Sequence, residues 1–224
     1  MLSIFGVPIS VHTRKVIVTA NHKGIAYHNE PVIPFDPPAD WTALSPTGLI
    51  PAIRHDGFEL ADSAAICAYL ERLEPAPSIY PKDAQGFARA LWLEQYGGAL
   101  FRTVVHPLFH QKIIRPHILK QGEPDQTEID RVVEQVVPGA FGYLERQIDA
   151  GFLMTGGLTI ADITIAANLL NYQYLGFRIE PQRHPGLAEA FAGTIGQRAF
   201  HAALDAETPF ALRMGLDRSF LGMA

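Results

Sequence analysis

The sequence predicts an α/β domain followed by an all-helical one. Up to about Glu74, short extended segments alternate with helical ones, whereas from about Asp83 onward long segments of 3.6-residue period follow one another without a strand pattern. Between them lies Glu74-Pro75-Ala76-Pro77-Ser78-Ile79-Tyr80-Pro81-Lys82-Asp83, whose prolines suit an extended connector. The expected domains are residues 1–76 and 84–224.

In the first half, Leu2 to Phe5 reads as a strand, Thr13 to Lys23 as a helix stopped by Gly24, and Ile25 to Ile33 as a second strand. A strand-helix-strand unit of this size implies a parallel pair with a right-handed crossover. Pro34 to Thr47 is too rich in proline for regular structure. Pro51 to Arg54 and Phe58 to Leu60, split by His55-Asp56-Gly57, form a hairpin with an Asp-Gly turn, and a helix over 62–73 closes the unit.

The second half predicts helices over 84–120, 125–148, 160–175, 186–194 and 197–203. The first should bend near His106-Pro107 and Arg115-Pro116, because each proline deletes a helical hydrogen bond. Leu158-Thr159-Ile160-Ala161-Asp162-Ile163 is a start signal: Thr159 caps the helix, Asp162 reaches back to its amide, and Leu158 staples to Ile163.

Composition narrows the function. A net charge of -5 over 224 residues, without long runs of one sign, argues against a nucleic-acid binder. One cysteine excludes an intrachain disulfide framework and fits a reducing compartment. Met1 leads directly into Leu2-Ser3-Ile4-Phe5 with no signal-peptide pattern, and no apolar stretch approaches the roughly 20 residues that span a bilayer. The reading is a cytoplasmic protein without nucleic-acid or membrane partners.

Two motifs carry chemistry. Pro51, in Leu49-Ile50-Pro51-Ala52-Ile53, removes a donor from a strand start and is the residue type that takes a cis bond, which turns the Ile50 amide outward as a docking edge. Asp62-Ser63 precedes an apolar run of helical spacing (Ala64, Ala65, Ile66, Tyr69, Leu70), so the Ser63 hydroxyl and the following amides form an anion site.

Together with Gly6-Val7-Pro8-Ile9-Ser10-Val11-His12-Thr13-Arg14-Lys15-Val16, Ser45-Pro46-Thr47-Gly48-Leu49-Ile50-Pro51 and the Thr159 to Asp162 capping box, these motifs resemble the cytosolic glutathione transferases, as far as about Thr208. The first segment is most similar to the serine-type phi class pattern Gly-x-Pro-x-Ser-x-x-Thr-Arg-x-Val. The resemblance implies a thioredoxin-like domain over 1–76 that binds glutathione, an all-helical domain over 84–224 carrying the second-substrate site, and a homodimer. It further implies that Ser10 stabilises the glutathione thiolate, that Ile50 and Pro51 hold the cysteinyl backbone, and that Asp62 and Ser63 hold the γ-glutamyl end. Glutathione is then a co-substrate and no separate cofactor is required. The implied activity is conjugation of small, mostly apolar electrophiles, a detoxification chemistry. A thiol of pKa about 8.5 is only about 3% thiolate at pH 7, so stabilising the ionised form is what such a site must do.

The pattern departs from the phi class where a histidine and a lysine bind the glycine carboxylate: here Asp36 and Pro37 align, and Leu49 replaces a glutamine. Lys82, Arg14 or a partner subunit are the candidate substitutes. Ser10 also reads as a plain helix cap, His12 as an exposed loop histidine, Arg14 as a brace of the domain interface or of the helix, and Cys67 as a packed thiol. His106, His110 and His117 are interrupted by prolines, so no metal is expected. Phe101, Val105, His106, Phe109 and Ile113 are expected to line the second-substrate cleft or to pack against neighbouring helices, while Asn171, Tyr172, Tyr174 and Phe177 read as core or cleft wall. Met214 to Met223 is an apolar tail that covers the cleft, packs on the surface or stays mobile. The alternatives are a glutathione-dependent peroxidase or isomerase, and a non-catalytic carrier of apolar ligands or dimeric interaction module.

Overall fold

The computed structural model describes residues 1–155 and 157–222. The amino-terminal half holds β1 (Leu2–Phe5), α1 (Val11–Lys23), β2 (Tyr27–Glu30), α2 (Trp41–Leu44), β3 (Ala52–His55), β4 (Phe58–Ala61) and α3 (Ser63–Leu73). The sheet runs β2-β1-β3-β4, with β1 parallel to β2 and antiparallel to β3. This is the thioredoxin-like arrangement. Pairing of β2 with β1 ends at Glu30 because Pro31 has no N–H to offer, which shortens the strand relative to the predicted 25–33. The hairpin turn places Asp56 at φ 48 and Gly57 at φ 87, the paired left-handed geometry that an Asp-Gly turn favours. Helix α2 interrupts the stretch read as irregular, where Trp41 is buried against Phe5, Val32, Ile50 and Ala52. Burial of that indole stabilises one helical turn that the surrounding prolines conceal in the sequence.

From Asp83 onward the regular elements of the described residues are all helices. Helix α4 (Ala84–Leu100) runs into a π-helical segment Phe101–Val105, a short α5 (His106–Phe109) and a second π-helical segment His110–Ile118. Pro107 sits in the first turn of α5, directly after the first π-helical segment, and Pro116 lies inside the second, so changes of pitch stand where simple bends are expected. Helix α6 (Gln126–Asp130), a π segment and α7 (Val137–Asp149) follow, then α8 (Ile160–Tyr174), α9 (Pro185–Ile195) and α10 (Arg198–Arg213). Helix α10 passes ten residues beyond the predicted end at Ala203. Its stripe Ala203, Leu204, Glu207 and Ala211 is buried while Pro209 faces solvent, so the buried stripe carries the helix through the proline.

Helix α8 is buried along its whole length and forms the spine of the helical half. The capping box is present: Asp162 N–H donates to Thr159 Oγ1 at 3.3 Å, and Thr159 N–H donates to Asp162 Oδ2 at 2.7 Å. The other Asp162 oxygen accepts from Met154 N–H at 2.6 Å, and the Ile160 amide donates to Ile79 O of the connector at 2.9 Å. The tail packs on the helical surface: Leu216 is buried, Asp217 N–H donates to Tyr174 O, and the Phe220 ring meets Tyr174 edge-on. Met223 lies outside the described residues.

Thr159→Ala should cost about 1 kcal/mol in urea unfolding, as a lost helix cap does. Asp162→Ala should cost about 2 kcal/mol or more, because it strands several partly buried donors. Equal, negligible losses would deny the box a structural role.

Candidate functional site

Helix α1 organises the site. Its cap residue Ser10 has extended backbone (φ -67, ψ 132), and the Thr13 N–H donates to its Oγ at 3.5 Å. Gly6 lies directly beneath this turn at φ 146, where an added Cβ meets Thr13 Oγ1 at 2.4 Å and Ile50 Cβ at 3.3 Å. Only glycine permits that approach, which brings the end of β1, the start of α1 and the residue before β3 together.

The Ile50–Pro51 bond is cis, as the sequence predicts. The Ile50 side chain is buried, and its N–H has no hydrogen-bond partner among the described residues. The preceding loop is braced by Ser45 Oγ donating to Leu49 O at 2.7 Å and by the Trp41 indole donating to Gly48 O at 3.1 Å.

Asp62, at φ 79, caps α3: its Oδ1 accepts from Ala64 N–H at 2.8 Å and Ala65 N–H at 3.0 Å. Those amides are therefore spent, which corrects the expectation that they form an anion site. The free groups are the Ser63 amide and hydroxyl, with the second Asp62 oxygen beside them, so the cluster offers donors to a carboxylate and an acceptor to an ammonium.

Arg14 is wholly buried and braces the interface between the halves. Its Nε donates to Glu207 Oε2 at 2.7 Å, one terminal nitrogen donates to Ala167 O and Asn171 Oδ1, and the other reaches Ile9 O at 3.2 Å. The Tyr174 hydroxyl donates to Glu207 Oε1 at 2.5 Å. This use of Arg14 removes it as a holder of the glycine carboxylate and places Asn171 and Tyr174 in the brace. Glu207 lies four residues past Ala203, where the sequence pattern ends this helix, so no local signal marks it. Two more cations of α1 are also paired: Lys15 with Glu94 at 2.8 Å and Lys23 with Glu71 at 2.5 Å.

His12 is not an exposed loop residue. It lies in the first turn of α1, partly buried, with its ring 4.8 Å edge-on from Phe101. Burial, reinforced by the Lys15 charge and opposed by Asp62, pushes its pKa down to about 4. Phe101 in turn lies 5.7 Å from His106. Val105 is 1% exposed and packs with Val11 and Ala167, a core position that corrects its place among lining residues. Phe109 is half-buried against the main core.

Cys67 is buried among core residues, within 3.4 Å of Thr19 Oγ1, and burial raises its pKa to about 11. It is a packed thiol. Among the described residues no group of three or more His, Cys, Asp or Glu side chains is arranged to hold a metal, and no helix is long and apolar enough to cross a membrane.

His12 carries a pH dependence. The unfolded chain takes up its proton near pH 6.5, whereas the folded chain refuses it until about pH 4, so stability is full above 6.5 and falls as pH drops through that window. An NMR titration should place the His12 midpoint near 4, and His12→Gln should remove part of the acid-side loss; a midpoint near 6.5 would contradict the burial.

The family descriptions "Glutathione S-transferase, N-terminal domain" and "Glutathione S-transferase, C-terminal domain" match residues 4–78 and 109–198. A glutathione S-transferase of Triticum aestivum is 26% identical, over 93% of this chain and 95% of its own. A maleylacetoacetate isomerase of Rattus norvegicus is 24% identical over 78% of this chain and 77% of its own. The crystal structure of a glutathione S-transferase from Rhodospirillum rubrum superposes with a TM-score of 0.81 at 28% identity, covering 91% of this chain and 92% of that one. The chain belongs to the glutathione S-transferase family.

Proposed function

We propose that this protein binds glutathione and conjugates its thiolate to small apolar electrophiles, with Ser10 as the group that stabilises the sulfur. The observation that carries the reading is the state of the Ser10 hydroxyl. Its oxygen accepts from the Thr13 amide, so its own hydrogen remains free to donate. Capping and thiolate stabilisation are thus compatible roles of one side chain.

The site's remaining groups fit the tripeptide. The unpaired Ile50 amide suits the cysteinyl backbone beside Pro51, and the Ser63 donors with the Asp62 carboxylate suit the ammonium and carboxylate of a γ-glutamyl end. A hydroxyl donor at the positive end of α1 favours sulfur anion over thiol. Lowering the thiol pKa by about two units corresponds to roughly 2.7 kcal/mol and makes the sulfur mostly ionised at neutral pH. The family resemblance supports a homodimer and a cytoplasmic setting, and the serine-type, phi-like assignment rests on the Gly6 to Val16 segment.

The second reading is an isomerase that uses the same thiolate reversibly, favoured by the similarity to the rat maleylacetoacetate isomerase. Both readings require the glutathione complex.

Calorimetric titration with glutathione should show binding, and the ultraviolet absorbance of the bound thiolate should titrate well below the free thiol. Ser10→Ala should raise that bound pKa by about one to two units and slow conjugation at neutral pH by about tenfold or more. Unchanged pKa and rate would leave Ser10 a cap alone. Absence of binding would favour the carrier or interaction module.

A further inference from the structure

The two ends of a peptide docked on the Ile50 amide meet different surroundings. One end reaches the start of α3, because Ala61, which pairs with Ala52 in the hairpin, leads directly into Asp62 and Ser63. A peptide that leaves its γ-glutamyl end there runs on past Leu49, away from the hairpin. Leu49 is 66% exposed, and Val32 and Trp41 share one buried cluster with Ile50, so this second end meets the segment over 31–50. That segment carries Asp36 and Asp40 and no lysine, arginine or histidine. Both carboxylates are exposed, and neither side chain joins an ion pair or a hydrogen bond among the described residues. The Asp36 N–H donates to Ile33 O at 3.1 Å, which turns it back beside Val32, and Asp40 directly precedes Trp41 with a side chain that caps nothing. Arg54 reaches the same cluster, 5.5 Å from the Phe5 ring centroid, but its charge is spent on Glu59 at 2.7 Å.

We propose that the site prefers its γ-glutamyl-cysteinyl thiol with an uncharged carboxy-terminal end, a glycine amide in place of the free glycine carboxylate, and that Asp36 and Asp40 set this preference. The inference rests on the glutathione reading above and names the form of the thiol. A free carboxylate arriving at this segment meets two like charges and no cation, while Ile33, Phe35 and Leu49 present exposed apolar surface without a donor. Like charges within a Debye length repel, and solvent exposure weakens that repulsion without removing it. A terminal amide carries no charge, and a carboxylate accepts its N–H donors as charge-assisted hydrogen bonds. The γ-glutamyl end, the cysteinyl backbone and the sulfur are the same in both ligands, so the difference between them reports this end of the site alone.

The test is calorimetric titration of the full chain, at low ionic strength, with glutathione and with its carboxy-terminal amide. The amide should bind about threefold or more tightly than glutathione, and the double variant Asp36→Asn with Asp40→Asn should bring that ratio to about one. Glutathione binding as tightly as the amide, or more tightly, would overturn the inference and leave the glutathione reading in place. An amide preference undiminished in the double variant would overturn it as well, by denying Asp36 and Asp40 their role. Binding of neither ligand would remove the glutathione reading and this inference with it.

Discussion

Buried polar contacts tie the two halves of this protein together, and the one with the most partners is the Arg14 guanidinium. Arg14 lies at the first turn of α1 with no solvent exposure, and its charge is compensated by Glu207 from α10 and by oxygens of Ala167, Asn171 and Ile9. An unpaired charge in that position is untenable, so the halves dock in the one geometry that satisfies every donor. A planar fork of five donors suits the task where a lysine does not. The same docking sets Val11 against Val105 and Ala167, and His12 against Phe101. The interface thereby also fixes the surroundings of the candidate site at the start of α1.

Helix α1 is a hub at both ends. Lys15 and Lys23 pair with Glu94 and Glu71, and the Lys23 ammonium also donates to the carbonyls of Glu74 and Pro77 in the connector. The helix start, pressed against Gly6 and Ile50, then presents Ser10 at the junction of three chain segments. None of these segments carries a complete site. Their convergence makes the candidate site, with the helix supplying position and the loop before β3 supplying open backbone.

Much of this was legible in the sequence, for physical reasons. The capping box, the Asp-Gly hairpin and the proline-rich connector are local signals that depend on neighbours within a few residues, and each appears where it was read. Arg14 reads in the sequence as a brace of the interface or of its helix, and its partner Glu207 is hidden because it lies past Ala203, where the sequence pattern ends the helix that tertiary burial carries on through Pro209. His12 was misplaced for the same reason: its neighbour Phe101 is nearly ninety residues away in sequence. The π-helical pitch near Pro107 and Pro116 leaves no simple periodic signature, so bends were the natural expectation. At α3, the sequence located the Asp62-Ser63 pair but not that the Asp62 carboxylate would occupy the amides assigned to a ligand.

The central claim is that the Arg14 to Glu207 pair sets how the halves dock. A double-mutant cycle with Arg14→Met, Glu207→Gln and the combined variant, measured by urea unfolding, tests it directly. The account predicts a large loss for each single variant, of about 3 kcal/mol or more, and a coupling of about 2 kcal/mol or more, since either change alone strands a buried partner. Additive losses with a coupling near zero would contradict it.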